Sequence, residues 1–356
     1  MVGVLALVSI LAAGCGGSHR CSGTEITFRA VPAKGQRVTT AGMELARQIM
    51  MSRLATLGVS SPQVAVHGDE IVIQSTGVLD PARTAAILAE TGQLQVFDFE
   101  PSLAPPSVQG NQQQPAPLAS LYRLLSAAKK EASKGTPQSY YLFKTTSSHP
   151  VIQRPASTLH QLFRLYKKGK QPADTEVLKV PANREPVSCK VSTGCPGAGQ
   201  NGRSKSGEYW YLFKLPPALT GKDLVESGIA ADVDPNTGQP IVTLQFTGHG
   251  SQEFKRITRA EYTRGRINAA QAGRLNTQGD QAIISRYAGH NAIVFNGQLE
   301  ETPYIDPTDP ALSQGIVGNA QLTEPNSFVA SRTALVLQTG SLPYSFQQVG
   351  HTSCPR

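Results

Sequence analysis

A chain of 356 residues that is 39% hydrophobic and 16% charged is long enough for two or three domains around sizeable cores. Its 33 Gly and 25 Pro require many turns but fall short of a disordered or collagen-like composition, and no apolar run reaches the length of a membrane-spanning helix. The net charge of +8 is concentrated: residues 120–215 hold 16 Lys or Arg against 5 Asp or Glu, whereas residues 1–119 carry −1 and residues 216–356 carry −2.

Residues 2–13 form a short apolar stretch ending in Leu11-Ala12-Ala13-Gly14-Cys15. It is too short to span a bilayer and has the length of a signal-peptide core. Small residues just before a Cys resemble the lipobox of bacterial lipoproteins. That resemblance implies removal of residues 1–14, lipidation of Cys15 and a flexible tether over residues 15–23, although no Lys or Arg precedes the apolar run. An ordinary secretory signal with a chance Cys is the other reading. With Cys15 set aside, Cys21, Cys189, Cys195 and Cys354 leave an even number, which suits an oxidising compartment. Cys189 and Cys195 bracket a small loop that a disulfide would close. Zinc spacings of the CxxC or HxxxH kind are absent.

From residue 24 the pattern alternates between strand and helix. Glu25–Ala30 alternates like a strand, and Ala41–Leu57 places Ala46, Ile49, Met50, Leu54 and Leu57 on one helical face with Gly58 as a stop. Gln63–His67 and Glu70–Gln74 flank Gly68-Asp69 as a tight hairpin. Asp80 and Pro81 open a second helix to Glu90, and Leu94–Phe99 reads as a strand. The order βαββαβ over residues 24–100 predicts a ferredoxin-like base.

Residues 101–117 are Pro/Gln-rich and read as a linker. Leu118–Ala132 and Ser157–Lys168 read as basic amphipathic helices within a long, partly disordered insertion over 101–207. Gly197–Gly202 matches GxGxxG, but no strand precedes it and no helix follows, so a loop is the expectation. Tyr141-Leu-Phe-Lys144 recurs as Tyr211-Leu-Phe-Lys214, which reads as two similar strands.

Order returns at Glu208, and residues 208–340 read as a second α+β unit. Its expected elements are a strand at Tyr209–Phe213, a turn at Leu219–Asp223, a strand at Ile241–Thr247 and a helix at Ser251–Tyr262. A hairpin follows through Asn296-Gly297, then a helix over Asn326–Gln338 stopped by Gly340. Asp232–Gly238 fails as a calcium loop, because the Gly falls one place late and position twelve is Thr243. Residues 341–356 read as a tail returning to the base.

Several stretches resemble the SecD family, the exported-side auxiliary subunit of the bacterial Sec translocase. Arg53-Leu-Ala-Thr-Leu-Gly-Val-Ser-Ser-Pro-Gln-Val-Ala-Val-His-Gly68 is similar to its R-x-x-x-L-G-V-x-E-P-x-V-x-x-x-G, and Gly77-Val-Leu-Asp-Pro81 to its P-G-V-x-D-P. Thr91–Phe97 resembles T-A-x-L-x-F, Leu219–Leu224 resembles L-T-G-x-D-L, and Phe246–Thr258 resembles F-x-x-x-G-x-x-x-F-x-x-x-T. Ala292–Gly297 is similar to A-I-V-L-D-G and Gly340–Pro343 to G-A-L-P. Each motif is structural and weak alone; seven in order are specific.

The resemblance implies the large first extracytoplasmic domain of SecD, with a ferredoxin-like base and a mobile head that holds preprotein as it emerges. Three departures stand out: Ser61 where the family has Glu, the added 101–207 segment, and no counterpart of the six membrane helices or of the bilayer carboxylate that couples SecD to the proton gradient. In that family both ends of the domain meet the membrane close together, which implies a Cys21–Cys354 disulfide here.

Signatures of catalysis are missing: G-x-S-x-G, G-x-x-x-x-G-K-[ST] and H-E-x-x-H do not occur, and seven scattered His make no ligand set. No catalytic, cofactor or metal site is expected. The expected partners are translocating or unfolded polypeptide, Sec membrane subunits, and the membrane through a lipid anchor. Lys129, Lys130, Lys134, Arg164, Lys167, Lys168 and Lys170 are the expected contacts to anionic lipid or acidic polypeptide, and an exported location disfavours nucleic acid. A scaffold that kept the fold but not the export role is the alternative.

Overall fold

The computed structural model describes residues 23–354 apart from 34–35, 77–79, 111–113, 165, 275–283 and 285. Cys15 and Cys21 lie outside the described residues. The fold is mixed α+β. Its base begins with β1 (Gly23–Val31), α1 (Thr40–Thr56), the hairpin of β2 (Gln63–His67) and β3 (Glu70–Ser75), and α2 (Pro81–Leu88). The expected Asp80 cap operates, its side chain accepting from the Arg83 amide behind Pro81, and α1 has a cap that the sequence reading did not name, the Thr39 side chain accepting from the Gly42 amide. Helix α1 buries Met43, Ala46, Ile49, Met50 and Leu54 against Ile26, Phe28, Ile71 and Ile73 of the sheet.

The base sheet is not closed by Leu94–Phe99, as the sequence suggested. The strand Ser345–Cys354 takes that place, antiparallel to β1, in a sheet of order Ser345–Cys354, β1, β3, β2. This is the ferredoxin-like order with its fourth strand delivered from far along the chain. The segment β4 (Leu94–Asp98) instead enters the head sheet. Its composition explains why. Leu94 and Val96 face one core and Phe97 faces another, so the strand is buried on both sides. An edge strand of the base needs only one apolar face, and SFQQVGHTSC supplies that through Phe346.

The insertion folds, which corrects the expectation of a linker followed by partial disorder. Its first helix breaks into α3 (Leu121–Ala127) and a short turn at Lys129–Ala132. A three-stranded antiparallel sheet follows, in the order β6 (Val151–Ala156), β5 (Ser139–Lys144), β7 (Thr175–Val180). The second expected helix shortens to α4 (Leu159–Phe163), and the chain turns at Lys167–Gly169, where Lys168 adopts φ 59°. Adjacent strand residues point to opposite faces. Phe143 therefore packs with Leu121, Leu124 and Leu125 of α3, while Leu142 packs with Ala156 and Leu162 on the other side. Few apolar residues suffice because alternation places each one inside.

Strands β8 (Arg184–Lys190) and β9 (Glu208–Lys214) pass from the insertion into the head sheet. The Cys189–Cys195 disulfide fastens the loop after β8, with Cα atoms 5.9 Å apart. In the GxGxxG stretch, Gly197 (φ 70°) lies so close to the short hairpin at Pro115 that a Cβ would sit 1.9 Å from its carbonyl oxygen. The stretch is a packed turn.

The head continues with β10 (Leu219–Thr220), β11 (Ala230–Val233), β12 (Pro240–Leu244), α5 (Gly248–Gln271), β13 (Gly289–Phe295), β14 (Gln298–Glu301), β15 (Ala320–Thr323) and α6 (Ser327–Gln338). Its main sheet runs β9-β8-β14-β13-β4-β10, and β11-β12-β15 form a second sheet. One core joins α5, α6 and both sheets through Phe246, Phe254, Ile257, Leu322 and Val336. Helix α5 begins earlier than the expected Ser251, with Gly248–Gly250 forming its first turn behind the Thr247 cap.

Candidate functional site: the junction of base and head

Arg53 stands on the apolar stripe of α1 and is fully buried. Its guanidinium meets the ends of two helices rather than a carboxylate. Nη1 donates to the carbonyls of Ile87 (3.0 Å), Leu88 (3.2 Å) and Glu90 at the end of α2. Nη2 donates to the Gly340 carbonyl (3.1 Å) and Nε to Thr339 Oγ1 (3.1 Å) at the end of α6. Helix C-termini carry unpaired carbonyls and partial negative charge, so they can hold a buried cation. Burial pushes the Arg53 guanidinium down to about 10, with Glu90 opposing that fall.

The surrounding bonds tie the same corner. The Leu342 amide donates to the Thr91 carbonyl (2.8 Å) and Ser341 Oγ to the Gly92 carbonyl (2.7 Å). Asn296 Oδ1 accepts from Thr91 Oγ1 (2.6 Å) and from the Gln93 amide (3.0 Å). Glu90 accepts from Asn296 Nδ2 (2.9 Å) and from Arg332 Nε (2.8 Å). Gly92, at φ 69°, has no room for a side chain beside Val336, Arg53 and Gly340. Helix α2 belongs to both units, since Leu88 packs into the base core and Ile87 into the head core. Four stretches singled out in the sequence, at Arg53, Thr91-Gly92, Asn296-Gly297 and Gly340–Pro343, therefore meet at one corner. The arrangement can hold base and head at a fixed angle, and it is the place where a change of angle would have to be absorbed.

A second polar cluster lies at the other end of β4 and β13, where Asp98 pairs with Asn291. Arg264 of α5 forks onto Asp98 and also reaches Glu100 Oε2 at 3.3 Å. His290 Nδ1 bonds Glu100 Oε1 at 2.6 Å. Beside them Glu261 is fully buried, pressed against Gly289, with neither carboxyl oxygen hydrogen-bonded; Asn291 Oδ1 is likewise buried without a partner. Burial, reinforced by the charge of Asp98, pushes the Glu261 carboxyl well up. Burial also raises Asp98 against the pull of Arg264. Burial acts the same way on Glu100, but the His290 and Arg264 contacts outweigh it and hold that carboxyl low.

The seven expected cations are all exposed, and they do not form one patch. Lys129, Lys130 and Lys134 follow α3 on one face of the β6-β5-β7 sheet, with Lys129 3.4 Å from Glu176. Arg164, Lys167, Lys168 and Lys170 follow α4 on the opposite face. His249 lies at the first turn of α5, with Nδ1 3.0 Å from Asp223. Neither Arg53 nor Glu261 was singled out for its position. Both carried a visible signal, a charged residue in register with the apolar stripe of a helix. Among the described residues no group of three or more His, Cys, Asp or Glu is placed to hold a metal ion, and no helix is long and apolar enough to cross a membrane.

Two family models match the chain. The SecDF P1 head subdomain covers residues 199–344, and the N-terminal part of the P1 domain of protein translocase subunit SecDF covers residues 43–100; together they span more than half of the sequence. Among curated relatives, the protein translocase subunit SecD of Acidaminococcus fermentans is 32% identical over 133 residues, 37% of this chain and 24% of the relative. The protein translocase subunit SecDF of Thermus thermophilus is 33% identical over 130 residues, 36% of this chain and 13% of the relative. The chain thus matches a quarter or less of the length of these relatives. A solved structure of the membrane component SecDF, described as enhancing protein export, aligns with 92% of this chain and 98% of its own at 17% identity and a TM-score of 0.45.

Proposed function

The chain belongs to the SecD family through the base and head of its first extracytoplasmic (P1) domain, and from that premise we propose that it is a lipid-anchored module that holds translocating or unfolded polypeptide beside the Sec channel. The observation that carries this reading is the junction: four separate SecD-like stretches converge on Arg53 and the two helix ends that it joins. A device for setting the angle between two units serves a protein that grips and releases a chain. No step in this reading draws on nucleotide, metal or the proton gradient. Lipidated Cys15 would keep the module at the membrane surface, facing the emerging client.

The test has two arms. The purified full chain is expected to slow aggregation of a chemically unfolded client without nucleotide, and Cys15→Ser is expected to move the protein from the membrane to the soluble fraction. A chain that retards no unfolded client would favour the scaffold reading, and a Cys15→Ser protein that stays with the membrane would remove the anchor.

We further infer a Cys21–Cys354 disulfide. Gly23 lies directly opposite Cys354 across the β1 pairing, so Cys21 is two residues from that register. Closing a loop of this length contributes about 5 kcal/mol in the chain-entropy description. Peptide mapping without reductant should recover Cys21 joined to Cys354; recovery of Cys21 as a free thiol would refute the pairing.

A further inference from the structure

The stretch between residues 100 and 199, which neither family model covers, builds a pocket of its own. The end of α3 and the turn after it, the Pro105-Pro106 turn and the Pro181–Arg184 turn enclose about 730 Å³. That is within the roughly 300–1,000 Å³ of small-ligand sites. Pro105, Pro106 and Pro181 give it an apolar wall, and Lys130, Lys134 and Arg184 give it charge.

The three cations are not equivalent. Arg184 is already engaged, with Nη2 2.9 Å from Glu131 Oε1 and Nη1 donating to the Asn183 carbonyl. Its Nε is buried without a hydrogen-bond partner. Lys130 and Lys134 lie four residues apart, on the turn at Lys129–Ala132 and just past its end, both exposed, and among the described residues neither has an ion-pair partner. With Glu131 cancelling Arg184, the pocket holds two unmatched positive charges. A carboxylate supplies one negative charge, whereas a phosphomonoester carries about −1.5 to −2 at neutral pH and several acceptor oxygens, enough for two ammonium groups together. The pocket is also larger than a bare phosphate, and its proline wall suits an apolar body.

We propose that this pocket binds a phosphomonoester carried on an apolar or glycerol-like body. The inference goes beyond the client-holding reading and does not depend on it, since the pocket lies in the insertion, apart from the base and the junction, and touches the head sheet only through Arg184 at the start of β8. A soluble phosphate ester and a lipid ending in a phosphate share this chemistry, and the probes separate them.

The experiment uses the full chain at low ionic strength, with glycerol 3-phosphate measured by calorimetry and vesicles of phosphatidylcholine with and without phosphatidic acid measured by co-sedimentation. The parent should bind at least one phosphate probe. The double variant Lys130→Gln with Lys134→Gln should weaken that binding about tenfold or more. Lys167→Gln with Lys168→Gln, which removes the same charge from the opposite face, should leave it within about twofold if charge there is only screened at a distance. All four positions are exposed, and circular dichroism checks that both variants keep the fold. Binding of glycerol 3-phosphate assigns a soluble ester, and binding only of phosphatidic acid vesicles assigns a lipid. Failure to bind either probe, equal losses in the two double variants, or tighter binding of polyglutamate than of both phosphate probes would each overturn the proposal.

Discussion

Arg53→Ala is expected to destabilise the protein by about 3–5 kcal/mol, read as a shift of the urea midpoint of the purified chain. Removing the guanidinium takes the Arg53 donors away from the carbonyls of Leu88, Glu90 and Gly340 and leaves Ile87 with only its backbone bonds. Each buried polar group stranded in this way costs about 1–3 kcal/mol, and the space left by the side chain adds to the loss. Arg53→Lys keeps the charge but not the fork. One ammonium cannot reach both helix ends, so that variant should recover only part of the stability. Hydrogen exchange separates a coupling role from general packing. Amides near 87–93 and 339–342 should lose protection before those of the β1–β3 pairing. Uniform loss across the base would show that Arg53 merely fills space.

Glu261→Gln is expected to make the protein more stable at neutral pH and to flatten its dependence on pH. The folded-state carboxyl is raised above its unfolded value, so the native protein binds the extra proton. Stability from this group is therefore fully present below the ordinary carboxylate range and is lost as pH rises towards the folded-state value. The groups facing it are Asp98 and Glu100, both acidic, and Arg264, which is committed to them; His290 is bonded to Glu100. A neutral amide of the same shape removes the cost of ionisation in this buried place. The gain at pH 8 over the parent is about 1.4 kcal/mol for each unit by which the acid is raised, and it vanishes near pH 4. Thermal midpoints of both proteins across pH 4–9 provide the check. Parallel curves would mean that Glu261 does not carry the proton.

Local patterns made much of the fold legible. The caps at Asp80 and Asn326 and the turns at Gly68-Asp69 and Asn296-Gly297 declare themselves through side chains that bond their own neighbourhood. Partners far along the chain were harder. Leu94–Asp98 follows α2 at the spacing of a fourth base strand, and only burial on both faces sends it elsewhere. Ser345–Cys354 has a single strongly buried aromatic, Phe346, so its strand character rests on pairing rather than composition. In the insertion, β5 showed itself at Tyr141–Lys144, whereas β6 and β7 carry too few apolar residues to stand out. Helix α5 was cut short because its second half, after Tyr262, buries little beyond Gly265 and Ala269. The junction was visible as separate motifs and not as a place, because Arg53 and Gly340 are brought together only by the fold.

The closing of the base by Ser345–Cys354 also sets an order of assembly. Strand β1 leaves the ribosome well before one of its two neighbours, which lies more than 300 residues later. Helices α2, α5 and α6 and strands β4, β10, β12, β13 and β15 can pack while that neighbour is still missing, because they share the head core. Pairings so distant in sequence form late, since chain entropy must be overcome before any contact rewards it. The earlier strand of that pair thus waits longest for its partner, and a chain arrested before residue 345 would carry β1 as an open sheet edge, ready to pair with whatever extended chain lies beside it.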